Sequence, residues 1–377
     1  MFLAWDSSAT SYPEIADPLH VVRQVGSEGL GNADASRAWR RLATNGVAVI
    51  PALLAGMDDA NDLAINWLRS AVETIVSRTP TDKLPIAELG KFLLDTGHNP
   101  RARRLAYELI SQVDGASAEK LLPGMLNDPS LELRRDAVQK LIDQAVQSLS
   151  SSKSGAMLLF HQALSFARDF DQIDIITKKL KELGQPVNLV QHFGFLTDWK
   201  VIGPFDNTGG AGFDAAFPPE KKIELAAEYD GKSGKVRWQR FASGHEYGVV
   251  DINKPCGALK GVAAYAFTEF PSDKEQGAEL RLACKNGWKI WFNGTFLFGR
   301  DEYHRMTEID QFRLPVAIKA GRNTILVKVC QNEQVEDWTK EWEFQLRMTD
   351  ALGTPIRPTN SPVIADVSKP ATAKTNP

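Results

Sequence analysis

The sequence predicts a two-domain chain that is helical first and β second: a right-handed α-solenoid of helix pairs followed by an antiparallel β-sandwich. Three observations predict it. Apolar residues keep helical spacing from about residue 34 to 183. Within that stretch one pattern returns: Arg69, Ala71 and Ile75 align with Arg104, Ala106 and Ile110, then with Arg135, Ala137 and Leu141. Near residue 197 the spacing changes to the alternation of strands.

Residues 1–30, with Pro13, Pro18, Gly26 and Gly29, read as an irregular lead-in. Residues 31–185 form the helical domain. Val138, Leu141, Ile142, Ala145 and Leu149 share one helix face, as do Ile173, Ile176, Leu180 and Leu183, with Gly184 placed to stop that helix. Asn99-Pro100 and Asp128-Pro129 put a capping residue and a proline ahead of such faces. The offsets of the recurring pattern, 69 to 104 and 104 to 135, suit a unit of two short helices that buries its face on its neighbour.

The connector 186–197 holds Val187, Leu189, Val190, Phe193, Phe195 and Leu196, too apolar for a free linker, so a docked segment and a fixed arrangement of the halves are expected. Residues 198–352 form the β domain. Leu280 and Leu282, then Trp288, Ile290 and Phe292, then Ile325, Val327 and Val329, then Trp342, Phe344, Leu346 and Met348 each mark one buried face. Asp230-Gly231, Asn286-Gly287 and Asn293-Gly294 are hairpin signals, and about eight to ten short strands are expected. The Pro-, Thr- and Ala-rich tail, 353–377, reads as disordered.

Composition excludes several functions. A net charge of −3 over 377 residues provides no basic field for nucleic acid. No apolar run approaches the ~20 residues that span a bilayer. Met1-Phe-Leu-Ala-Trp-Asp6 lacks the basic and apolar regions of a signal peptide, which leaves a mature, a truncated or a cytoplasmic form open. Cys256, Cys284 and Cys330 include no C-x-x-C pair for zinc. Cys284 and Cys330 each end a strand-like run, so a disulfide in an oxidising compartment stands beside the preferred reading of free buried thiols. The six histidines are scattered, and neither H-E-x-x-H nor G-x-S-x-G occurs. Gly210-Ala-Gly212-Phe-Asp-Ala215 fits a dinucleotide fingerprint in letters only, because Phe217-Pro218-Pro219 follows where a helix is needed. No enzyme activity, and no cofactor, is expected.

Candidate ligand-binding residues come from the β half. Trp291 alternates with Trp288, Ile290 and Phe292 and so faces away from their core, with Asn293 on its side. Asp301, Tyr303 and His304 follow in a loop, and Trp338 sits in the polar stretch Asn332 to Lys340. Packing for Trp291, a turn role for Asn293 and a surface contact for His304 with Asp301 are the competing readings. Asp206 and Asp214 flank a glycine-rich loop able to offer oxygens to calcium, with a plain crossover as the alternative.

Two resemblances add to this. Residues 99–106 and 127–138 resemble the second helices of HEAT repeats, a family in which a turn Asp and a helical Arg form a ladder between neighbours; Asp128 with Arg134 or Arg135 matches, and Asn99 departs. Trp199–Asn207, Leu280–Gly294 and Lys319–Val329 resemble galactose-binding-like jelly rolls, with Cys284-Lys285-Asn286-Gly287 where that family carries an acidic turn. The resemblances imply a bacterial binding or scaffold protein that contacts a protein partner, a polysaccharide or both. They imply a periplasmic or extracellular setting. A purely structural assembly role and an accessory role in glycan degradation are the alternatives.

Overall fold

The computed structural model describes residues 12–360. The chain divides between Lys179 and Leu180 into two compact units, a helical one and one of antiparallel β-sheets.

The helical unit starts earlier than the sequence suggests. Helix α1, Pro13–Arg23, occupies the stretch expected to be irregular, and buries Ile15, Leu19 and Val22. Pro18 inside it costs a backbone hydrogen bond, which is why the pattern read as a break. The buried i, i+4, i+7 face outweighs that loss. Then come α2 (Asn32–Ala43), α3 (Ile50–Ala55), α4 (Asp62–Ser77), α5 (Ile86–Leu94), α6 (Pro100–Val113), α7 (Gly115–Glu119), α8 (Leu131–Ser148), α9 (Lys153–Phe166) and α10 (Phe170–Glu182). Asn99 caps α6 as expected, its side chain accepting from the Arg101 amide at 2.9 Å. For α8 the cap is Ser130 and not Asp128.

Asp128 serves a different bond. Its carboxylate is held by both terminal nitrogens of Arg103 at 2.7 Å, and the two side chains are 2% and 4% exposed. Of the expected partners, Arg134 meets Asp128 at its backbone carbonyl (2.8 Å) and not at its carboxylate, and Arg135 binds Asp171 at 2.8 Å. A ladder does exist, built from the three aligned arginines. Arg69 reaches Glu108 at 2.8 Å, Arg104 reaches Asp136, and Arg135 reaches Asp171. Each links α4, α6 or α8 to the next in that series, ending on α10.

In the second unit α11 (Leu189–Phe193) precedes β1 (Asp198–Asp206); α12 (Ala211–Asp214) and α13 (Pro218–Lys221) follow. Next come β2 (Glu228–Gly231), β3 (Gly234–Arg237), β4 (Gln239–Ala242), β5 (Val250–Asp251) and α14 (Asn253–Cys256). The remaining strands are β6 (Val262–Ser272), β7 (Gln276–Cys284), β8 (Gly287–Phe292), β9 (Thr295–Arg300), β10 (Phe312–Ile318), β11 (Gly321–Gln331) and β12 (Glu343–Thr349). They make a six-stranded sheet, β4-β1-β6-β11-β8-β9, a four-stranded sheet, β10-β7-β12-β5, and the hairpin β2-β3.

Trp288, Ile290 and Phe292 share one core with Leu280, Leu282, Phe344 and Leu346, so that core draws on both larger sheets. A second core covers the opposite face of the six-stranded sheet. There Ile202, Tyr265, Phe267, Trp291 and Leu326 lie beneath Phe213, Phe217, Leu225 and Trp238 of the crossover that follows β1. The crossover is clasped by Lys328, whose fully buried ammonium donates to the carbonyls of Phe213 (3.0 Å) and Ala215 (2.7 Å) and to Glu220 (2.9 Å). Glu220 also accepts from the Tyr265 hydroxyl.

Several local expectations change. The β2-β3 hairpin turns at Lys232-Ser233, with Gly231 and Gly234 paired across it, rather than at Asp230-Gly231. Asn286-Gly287 joins strands of two different sheets and is no hairpin; the Asn286 side chain is buried, bonded to Gln331 and to backbone groups of Glu341 and Glu343. Asn293-Gly294 does link β8 to β9, at φ of 50° and 78°. Cys284 and Cys330 are free and belong to the two separate cores; burial pushes both thiols up to about 12.

The connector belongs to the β unit. Phe195 bridges to Arg347 of β12, and the Leu196 amide donates to the Leu346 carbonyl at 2.9 Å. The expected disorder from residue 353 is corrected as far as Asn360. Ile356 packs on the core between the sheets and donates to the Met348 carbonyl at 2.8 Å, and Thr359 donates to Pro271 at 3.0 Å. Residues 361–377 of that expected tail lie outside the described residues, as do residues 1–11 of the lead-in. Among the described residues no helix is long and apolar enough to cross a membrane.

Removing one partner of a buried ion pair strands the other charge, at a cost of about 3–5 kcal/mol. Arg103→Met should therefore destabilise the helical unit by about that much, and Asp128→Asn, which retains an acceptor, by less. Urea unfolding followed by the helical circular dichroism signal checks the order; equal, small losses for both would contradict it.

Candidate functional site

Three loops and one hairpin tip meet at a rim of the β unit. The turn after β1 supplies Asn207 and Thr208, and the segment between β9 and β10 supplies Asp301, Tyr303 and His304. The segment between β11 and β12 supplies Asn332, Glu333 and Trp338, and the β2-β3 tip supplies Lys232. Asn207 is buried at their junction and donates to the Tyr303 hydroxyl (3.2 Å) and to the Gln331 carbonyl (3.1 Å). The Tyr303 ring lies so close to Gly287 that a β-carbon there would stand 3.1 Å from it. Burial raises the Tyr303 hydroxyl above its ordinary range, so it stays a neutral donor and acceptor.

His304 adopts a left-handed backbone at φ of 57°. Its Nε2 sits 2.8 Å from the Asn332 side-chain oxygen, which also accepts from the Gln334 amide, while the Asn332 nitrogen donates to Gln334. The acceptor role of that oxygen assigns the proton to Nε2. Trp338 stands edge-on to the imidazole, ring centres 5.4 Å apart at 87°, and is 61% exposed. Beside this pair Asp206 accepts from Thr208 (2.7 Å) and from Lys232 (3.0 Å), and Glu333 accepts from the Gly209 amide at 2.5 Å. Thr208, then Lys232, hold the Asp206 carboxyl below its usual value.

Buried bonds hold these loops. Asp310 binds Arg281 at 2.7 Å and Arg347 at 2.5 Å, tying the loop of Asp301, Tyr303 and His304 to the four-stranded sheet. In the other loop the Thr339 carbonyl accepts from Gln331 (3.0 Å) and Lys260 (2.6 Å). The arrangement combines an exposed indole with amide, imidazole, carboxylate and ammonium groups on a fixed frame. Such a set can stack on an apolar ring face and hydrogen-bond the hydroxyls around it.

Of the residues singled out from sequence, Asp301, Tyr303, His304 and Trp338 lie in these loops, and His304 meets Trp338. Trp291 does not join them. It is 8% exposed within the second core, against Phe296, because the crossover covers the face that alternation assigned to solvent. Asn293 serves its turn, bonding Asn323 and the Thr324 amide at 2.9 Å each. Asp206 and Asp214, the candidates for calcium, each face a lysine, Lys232 at 3.0 Å and Lys289 at 3.1 Å. Among the described residues no group of three or more His, Cys, Asp or Glu gathers as a metal site. Sequence reasoning missed Asn207, Lys232, Asn332 and Glu333. Only the turn position of Asn207 and the polar-stretch positions of Asn332 and Glu333 hinted at them.

No family model matches the chain, and no curated protein matches it. Among solved structures, an anti-sigma factor domain-containing protein from Clostridium clariflavum is 11% identical, over 42% of this chain and 45% of that one, with a TM-score of 0.26. A second anti-sigma factor domain-containing protein is 10% identical over 45% of this chain and 51% of that one, at 0.23. The GH31 alpha-xylosidase from Xanthomonas citri is 8% identical over 41% of this chain and 17% of that one, at 0.21. The chain thus spans about half the length of the first two. Scores of this size carry no conclusion about shared function.

Burial alone would raise the Asp310 carboxyl, but Arg347 and Arg281 outweigh it and hold the group below its ordinary value. A depressed carboxyl contributes stability that is full above its unfolded pKa, about 4, and lost as pH falls through the lower folded value. Asp310→Asn should lower the urea midpoint at neutral pH and flatten its fall below about pH 4. Urea midpoints from neutral to acid pH check this, and parallel curves for the two proteins would contradict it.

Proposed function

We propose that the chain is a non-catalytic binding and scaffold protein. In this reading the helical unit is a HEAT-like solenoid that contacts a protein partner. The β unit is a jelly-roll-like sandwich whose rim binds a glycan. The observation that carries the glycan part is Trp338, a large aromatic side chain left 61% exposed beside His304 and a ring of polar groups. Exposing an indole forgoes burial worth ~2–3 kcal/mol, which favours a ligand that covers it. Tyr303 and Asn207 position the His304 loop, and Asn332, Glu333 and Lys232, each already bonded within the rim, add polar groups beside it. The extended row of arginine–acid bonds supports a rigid helical scaffold.

A second reading has an observation of its own. Trp199, Trp288, Trp291 and Trp342 are all buried, as in a unit whose aromatic residues serve packing alone. That favours a purely structural assembly protein. An accessory role in a glycan-degrading system is compatible with the first reading.

The two readings separate on a polysaccharide-retention assay with the full chain. Under the first, Trp338→Ala weakens retention at least tenfold, about 1.4 kcal/mol, with an unchanged thermal midpoint. His304→Ala weakens it less. Absence of retention on any polysaccharide tested, or retention indifferent to Trp338→Ala, would leave the structural reading.

A further inference from the structure

Away from the rim, the β unit has a groove of about 530 Å³, a size suited to a small ligand. Its walls are the connector around Gln191, the ends of β1, β4 and β6, and the segment Arg357 to Asn360. Five charged residues line it: Lys200, Arg240 and Arg357 against Asp198 and Glu269. Three of these charges are already committed. Arg240 pairs with Asp198 at 3.0 Å, and Glu269 with Arg322 at 2.8 Å, outside the groove.

Lys200 and Arg357 are not committed. Among the described residues neither meets a carboxylate, and Arg357 donates only to the Gln191 carbonyl at 2.5 Å. Arg357 is exposed along one side, yet burial by the surrounding chain lowers its pKa with no acid to offset that cost. A guanidinium with spare donors suits a planar oxyanion. With the other three charges paired, Lys200 and Arg357 leave the groove positive, and the planar fork of Arg357 matches a planar carboxylate.

The neutral lining selects the carrier. Gln191 and Asn360 offer side-chain amides, Asn188 the nitrogen of an amide whose oxygen caps α11, and Thr268 a hydroxyl that donates to the Asp198 carbonyl and can still accept. An extended peptide would seek a free strand edge; β1 along the groove is hydrogen-bonded to β4 on one side and β6 on the other, and the one edge beside the groove is that of the four-residue β4. We propose that this groove is a second binding site, for a carboxylate-bearing sugar, with Arg357 and Lys200 as its anion receptors. The proposal does not rest on the glycan reading of the rim.

Calorimetry on the full chain tests it with trigalacturonate, a glucuronate-terminated trisaccharide, neutral galactotriose and a glutamate-rich peptide as probes. At least one uronate should bind at least tenfold more tightly than galactotriose, and salt should weaken it. Arg357→Gln and, separately, Lys200→Gln should each reduce that affinity at least fivefold, while Trp338→Ala leaves it unchanged. The proposal is overturned if neither uronate binds, or if acidic and neutral sugars bind alike. Loss with Trp338→Ala but with neither groove variant would move the sugar to the rim and also overturn it. Tighter binding of the peptide, sensitive to Arg357→Gln, would overturn the sugar class.

Discussion

The Lys328 ammonium lies in the interior of the β unit, and the packing above it follows from that position. A buried charge is tolerated only with full hydrogen bonding and a counter-charge. Lys328 obtains both from the crossover after β1, through the carbonyls of Phe213 and Ala215 and the carboxylate of Glu220. Meeting that demand draws the crossover onto the six-stranded sheet and brings Phe217 over Phe205 at 4.8 Å. The central strands of the sheet, β1, β6, β11 and β8, are then covered on both faces. The surfaces proposed for ligands are accordingly those the sheets do not bury, the loops at the rim and the groove beside β1.

The rim loops are held by buried ion pairs and hydrogen bonds. Asp310 sits between Arg281 and Arg347, both nearly inaccessible, so the loop bearing Tyr303 and His304 is fastened at its far end. The loop bearing Trp338 is fastened through Thr339, whose carbonyl and hydroxyl are both engaged. Removing flexibility ahead of binding lowers the entropy cost of binding. The helical unit uses the same chemistry for another end. Its buried Arg103–Asp128 pair and its more exposed arginine row add polar links between successive helices to the apolar packing that sets their geometry.

Much of the fold was legible in the sequence because it depends on local period. Helical spacing up to residue 183, strand alternation beyond 197, the cap at Asn99 and the turn at Asn293-Gly294 all follow from bonds between near neighbours. The aligned arginines 69, 104 and 135 were legible as a repeat, but their acidic partners lie 32 to 39 residues away and no local rule names them. Helix α1 was hidden by Pro18, because a local penalty is visible in sequence and the burial that offsets it is not. Half of the candidate site was legible for the same reason: Asp301, Tyr303, His304 and Trp338 stand in polar, turn-like stretches, where loops are expected.

Sequence by itself determined that this chain is helical and then β, which residues of each strand share a face, and which stretches are loops. Tertiary structure alone decided what covers each face and which loops meet. Alternation assigns Trp291 and Lys328 to the side opposite the inter-sheet core, and that assignment holds. Whether that side meets water depends on a crossover some 75 to 115 residues earlier in the chain, and on its carbonyls reaching one lysine. The meeting of His304 with Trp338 likewise depends on loops that follow different strands. Period is a property of neighbours, whereas burial and convergence are properties of the closed chain.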